Sequence, residues 1–201
     1  MGKRTKHRKK VRHFHQPGDL HELTFSCYRR LPLLTNDDWR CRLAKSIDQA
    51  GTKARVELVG FVFMPEHVHL LVYPLSETGD IEDYLKWLKE PFSKEIKKLL
   101  IKLGSPLLKK LTVRERPGKT CFRFWQEGPG FDRNLFTPAA IQASLDYIHN
   151  NPVERGLCRR AIDWKWSSAR YYLLDPPRQQ FPDLPFIHGL RPGSLDRGQP
   201  R

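Results

Sequence analysis

The sequence predicts an α+β sandwich: an antiparallel sheet with helices on one face and a further C-terminal helix that bears a tyrosine. Three observations carry that prediction. Two β-forming runs, 55–63 and 66–73, stand on either side of a Met64-Pro65 break and are close enough to form an antiparallel hairpin. A third β-forming run, 22–28, precedes them, with a helical stretch in between. A long stretch, 81–103, places Ile81, Leu85, Leu88, Phe92 and Ile96 on one stripe, the pattern of a helix lying on a sheet.

In chain order, 22–28 is rich in β-formers and starts the sheet. Asp37 and Asp38 open a helix that ends near Ala50, with Asn36 as its N-cap. The hairpin follows. In the next helix Pro91 is expected to introduce a kink or a division. Residues 105–120 read as a basic connection with little structural signal, and 120–126 as the next strand. Thr137-Pro138 starts the last helix in the cap-then-proline manner. It runs to about Asn150, Pro152 ends it and Gly156 supplies a turn. The order β-α-β-β-α-β-α is that of a ferredoxin-like, RRM-like sandwich. Residues 1–20 form a basic arm, 21–174 the folded domain, and 175–201, with six prolines, an extended tail.

Hydrophobic residues make up 39% of the 201, with five Trp and eleven Phe, which is enough for a real core. The net charge of +14 points to a polyanionic partner, nucleic acid first, with a solvated basic surface as the bland alternative. Cys27, Cys41, Cys121 and Cys158 form no CxxC pair and suit neither zinc nor a disulfide framework. They read as reduced, mostly buried thiols of a cytosolic protein. No apolar run approaches the roughly 18 residues of a membrane span, and no apolar segment follows the basic N-terminus as in a signal peptide.

His67-Val68-His69 places two imidazoles at i and i+2 of a strand, on one face, where they can converge on one divalent cation. Val68, Leu70 and Val72 face the other way, into the core. Two partly exposed histidines with no special task is the competing reading. Tyr147 stands near the end of the last helix, and Asn151, four residues on, shares its face. A deprotonated phenol there is a competent nucleophile toward phosphorus. A phenol packed at a helix edge is the alternative.

Together these segments resemble a known family. The run from Phe63 through His67-Val68-His69 to Val72 is similar to the His-hydrophobe-His motif of the single-tyrosine transposases of the HUH nuclease superfamily. The run from Tyr147 through Asn151-Pro152-Val153 to Leu157 resembles their tyrosine-bearing helix, most closely in the REP-associated tyrosine transposase branch. Phe124-Trp125-Gln126 and Trp164-Lys165-Trp166-Ser167-Ser168 resemble that branch too. The resemblance implies Tyr147 as nucleophile and His67, His69 and Asn151 as ligands of Mg²⁺ or Mn²⁺. Asn151 stands where insertion-sequence relatives have Gln.

It also implies cleavage of hairpin-forming single-stranded DNA through a 5′-phosphotyrosine, by a monomer or homodimer in the bacterial cytoplasm, at the nucleoid. Candidate DNA contacts are Arg4, Lys9, Lys10 and Arg12 in the arm, Arg29 and Arg30 after the first strand, and Lys86, Lys89, Lys94, Lys97 and Lys98 on the long helix. The Gly-x-Ser-Tyr-Arg-like segment found near the N-terminus of that branch is absent from the sequence. The alternative function is a non-catalytic nucleic-acid-binding module on the same fold, which calls for exposed aromatics where this strand carries His67 and His69.

Overall fold

The computed structural model describes residues 19–75, 80–128 and 130–191; Arg4, Lys9, Lys10, Arg12 and the end of the tail lie outside them. Strand β1 (Leu20–Ser26) is the one around which the sheet assembles. It pairs antiparallel with β3 (His67–Pro74) on one side and with β6 (Phe131–Leu135) on the other. β2 (Val56–Phe63) pairs with β3, giving the order β2-β3-β1-β6.

Alternation along the strands divides the apolar residues between two faces. Val68, Leu70 and Val72 of β3, with Leu23 and Phe25 of β1, pack under α1 (Asp37–Ala54) and α2 (Ile81–Lys102). Leu71 of β3, with Val59 and Val62 of β2, packs under α4 (Pro138–Glu154) through Ile141, Leu145 and Ile148. The expected pair of helices thus shares one face, and the tyrosine helix covers the other, so the face that bears His67 and His69 is not open. Gly60 makes this close approach possible. It sits at a register shift in β2, where a Cβ would come within 2.9 Å of Leu145 Cδ2.

The local signals that start the helices are met. The Asn36 side chain accepts from the Trp39 N–H, and Thr137 does the same for Ala140. α1 runs past Ala50 to Ala54, because both alanines are buried and the stripe continues. α2 runs through Pro91 undivided. Leu88 and Phe92 on either side are buried, and that packing carries the helix past the missing N–H. Pro152 does not end α4; it lies inside the last turn, and Gly156, with φ of +67°, follows the Arg155 C-cap.

The expected fourth strand is displaced. Residues 120–126 do not join the sheet as a strand. Instead 105–122 folds as a short helix α3 (Leu107–Leu111) and a separate hairpin of β4 (Thr112–Arg116) and β5 (Lys119–Phe122). The fourth strand is β6, whose sequence Phe-Asp-Arg-Asn-Leu lacks an apolar alternation. Polar cross-strand pairs hold it: Arg133 donates to Glu22 at 2.6 Å, and His21 Nδ1 lies 2.9 Å from Asp132.

The other edge, β2, is covered. The Phe63 N–H donates to Trp166 O, the Ser168 N–H to Phe61 O and the His188 N–H to Leu58 O. The segment 164–168 is therefore a cap on the sheet edge, ahead of α5 (Ala169–Leu173). The described part of the tail has no helix or strand, yet Leu184 and Ile187 are buried against the core. All four cysteines are free, but only Cys27 is buried, which corrects the expectation for the other three. Among the described residues no helix is long and apolar enough to cross a membrane.

Candidate metal and nucleophile site

A cavity of about 330 Å³ opens where the end of β1, the start of β3 and the last turns of α4 meet; it is lined by Thr24, Ser26, Arg30, His67, His69, Tyr147, Asn151, Glu154 and Arg155. Strand register builds its floor. Thr24 stands opposite His69 and Ser26 opposite His67, so all four point out of the same face. The helical repeat builds its wall. Tyr147, Asn151 and Arg155 are spaced by four residues and come to the cavity from one side of α4.

The two imidazoles are buried, 5% and 4% exposed, and face each other with His67 Nε2 and His69 Nε2 3.0 Å apart. The far nitrogen of each ring has its own partner. His67 Nδ1 lies 3.2 Å from Glu66 Oε1, and His69 Nδ1 lies 2.8 Å from Thr24 Oγ1. An ionised carboxylate can only accept, so His67 carries its proton on Nδ1 and its Nε2 accepts from the His69 Nε2–H, a proton that a cation seated between the two nitrogens would displace. Burial pushes the His69 pKa down to about 3, helped by the charges of His67 and Arg30. Burial likewise lowers His67, with Glu66 opposing the shift. Both rings are therefore neutral at pH 7, the state in which imidazole binds a metal.

Two ligand atoms about 2.1 Å from one octahedral ion and at right angles to each other stand about 3.0 Å apart. The histidine pair has that separation. Asn151 Oδ1 lines the same cavity, is buried, and has no hydrogen-bond partner among the described residues. An unpaired buried carbonyl costs about 1–3 kcal/mol unless something takes its lone pairs. Among the described residues no three His, Cys, Asp or Glu side chains gather at a metal-holding spacing; of the oxygens lining this cavity, the Asn151 amide is the one that is buried and unpaired among those residues. Two neutral imidazoles and one amide oxygen suit a divalent cation of the Mg²⁺ or Mn²⁺ type, with positions left for phosphate oxygens and water.

Tyr147 is 45% exposed, and its ring meets that of His69 edge-on with centroids 5.3 Å apart. The phenol is thus open to solvent while its ring stands beside the histidine pair.

Glu66, Arg155 and Thr24 escaped the sequence reading. Glu66, 8% exposed, receives Arg155 at 3.0 Å and Arg30 at 3.5 Å on the oxygen that also faces His67. Burial alone would raise its pKa, but His67 and the Arg155 ion pair outweigh it and the net shift is downward. The signals were present: Glu66 adjoins the histidine pair, Arg155 continues the stripe of Tyr147 and Asn151, and Thr24 and Ser26 alternate on β1.

The basic candidates divide. Arg30 lines the cavity, and Arg29 adjoins it on an exposed turn. Both have positive φ, +53° and +52°, a strained state for arginine. The turn is held by the Arg30 N–H on Cys27 O and the Arg29 N–H on the Gln126 side chain. Lys89, Lys94 and Lys97 line a different cavity, and Lys86 and Lys98 line neither.

The family described as IS200-like transposase matches residues 19–112. A curated protein of Haemophilus influenzae named as a REP-associated tyrosine transposase is 29% identical over 112 residues, 56% of this chain. The match spans 58% of that relative's own length. A solved structure of a REP-associated tyrosine transposase bound to a REP hairpin superposes with a TM-score of 0.59 at 20% identity, covering 80% of this chain and 82% of that one. At that identity the likeness speaks for the α+β fold.

Proposed function

We propose that the chain, whose residues 19–112 match the family described as IS200-like transposase, cuts and rejoins hairpin-forming single-stranded DNA through Tyr147. One observation carries the reading: facing imidazole nitrogens, an unpaired buried amide oxygen and an exposed phenol share one cavity. The REP hairpin in the solved relative supports the substrate class.

His67 and His69 through Nε2, and Asn151 through its amide oxygen, would hold Mg²⁺ or Mn²⁺, which when bound supplies Lewis-acid polarisation of the scissile phosphate. Arg30 and Arg155, anchored on Glu66, steady the phosphodiester at the cavity rim. The Tyr147 oxygen attacks phosphorus, the bond to O3′ breaks, and a 5′-phosphotyrosine and a free 3′-hydroxyl result. The phenol proton leaves to water on the exposed side, and the departing O3′ takes one up. Attack by a 3′-hydroxyl on the phosphotyrosine runs the step backward and joins the ends with no external energy source.

The test is a gel assay on single-stranded hairpin oligonucleotides with Mn²⁺. Wild type leaves a protein–DNA adduct that survives denaturation; Tyr147→Phe binds DNA but forms none, a loss of at least about 10³-fold. Equal cleavage by Tyr147→Phe removes the nucleophile assignment. Metal dependence that survives His67→Ala with His69→Ala removes the metal seat.

A further inference from the structure

A second cavity, of about 410 Å³, lies between α2 and the segment 122–125 that follows β5. Lys89, Lys94 and Lys97 supply one wall and Phe122, Arg123 and Trp125 the other. Its make-up is that of a nucleotide pocket, an aromatic wall beside a basic one. Lys94 pairs with Glu90 and Arg123 with Glu127, but Lys89 does not resemble them. Its ammonium lies 4.5 Å from the Phe25 ring centre, burial alone accounts for its lowered pKa, and no acidic side chain among the described residues pairs with it. A partly buried cation whose partner among the described residues is a ring face is costly, and an anion beside it relieves the cost.

This cavity is tied to the site described above. The Tyr28 N–H donates to Phe124 O and the Gln126 N–H to Ser26 O, so the wall that carries Trp125 is hydrogen-bonded to the chain leading into Arg29 and Arg30. Arg30 then lines the first cavity. A strand leaving the Tyr147 cavity over Arg30 and Arg29 follows this paired segment toward the second one.

We propose that the α2 cavity holds one unpaired nucleotide of the DNA strand, its base against Phe122 and Trp125 and its phosphate on Lys89 and Lys97. The proposal rests on the reading of the chain as a single-stranded-DNA enzyme. Stacking on aromatic side chains tolerates any base, so the pocket grips the strand without reading its sequence.

The experiment measures binding, with no cleavage step. Full-length Tyr147→Phe protein in EDTA is titrated into a fluorescent single-stranded oligonucleotide at several salt concentrations and read by anisotropy. Lys89→Met with Lys97→Ala is expected to weaken binding about ten-fold and to reduce the salt slope by about 0.7 per lost phosphate contact. Lys102→Ala, on the exposed end of the same helix, controls for loss of charge alone and is expected to bind as the parent does. A 5-iodouracil oligonucleotide is expected to crosslink to the peptide containing Phe122 and Trp125. Thermal melts confirm that the double variant is folded; if it is not, the crosslinking on the parent protein decides alone. Parent binding with unchanged affinity in the variant and no crosslink at 122–125 overturns the pocket and leaves the Tyr147 chemistry standing. Absence of any single-strand binding by the parent protein overturns the functional reading itself.

Discussion

Burial lowers the pKa of both His69 and Lys89, and the consequences differ. Burial leaves His69 neutral at neutral pH, with its pKa down to about 3, so the ring keeps an unprotonated nitrogen. Lys89, pushed down to about 8, is still charged at neutral pH but close to losing its proton. The charges around it are Glu90, Lys94 and Lys97 on its own helix and Arg123 across the cavity, while β1 presents only the Phe25 ring. The sign follows: Lys89 is cationic below about pH 8 and neutral above it, far earlier than an ordinary lysine. Affinity for single-stranded DNA is therefore expected to fall between about pH 8 and pH 9.5, whereas Lys89→Arg, which keeps its charge, stays level. Anisotropy titrations across that range check it; a level wild-type profile contradicts it. Nothing in the sequence separates Lys89 from Lys86 or Lys94, since the difference lies in which helix face meets Phe25. Strand and helix periodicity put His67 and His69 on one face and Tyr147 in line with Asn151, but only the resemblance of the two segments together singled this tyrosine out of six. Glu66 was not, since its role depends on Arg30 and Arg155 arriving from elements remote in the chain.

At the level of elements, Ser168 fastens the 164–168 segment to the sheet and the tyrosine helix to both. Its hydroxyl lies 2.9 Å from the Phe61 N–H nitrogen and 2.9 Å from His149 Nε2 on α4. Ser168→Ala strands a buried N–H and a buried imidazole, and is expected to cost roughly 1–3 kcal/mol, read as a lowered urea midpoint. An unchanged midpoint would mean that water or a rearranged Trp166 loop takes over both bonds. The strands with apolar alternation, and all three long helices, could be read from the sequence. β6 could not, because an edge strand held by Arg133–Glu22 and His21–Asp132 has no hydrophobic signature. The sequence 120–126 drew the strand assignment instead, since Phe122, Phe124 and Trp125 look like β-formers, whereas Phe124 and Trp125 fill the core beneath α2.

For the molecule as a whole, two groups of basic side chains line two separate cavities. Arg30 and Arg155 are spent at the Tyr147 cavity, and Lys89, Lys94 and Lys97 on the far side of the sheet. Tyr147 reaches His69 from α4 of the same chain, packed down by Leu145 over Gly60. On the proposed reaction, one polypeptide contains both halves of the chemistry, and a defect in either half should not be repairable from outside. Tyr147→Phe and the His67→Ala, His69→Ala double variant, each inactive, are expected to stay inactive when mixed, with wild-type turnover per molecule constant on dilution. Restored adduct formation in the mixture would instead reveal helices traded between subunits. If the mixture stays silent, a cell producing both defective copies gains nothing from having two, and each gene copy stands or falls by its own product.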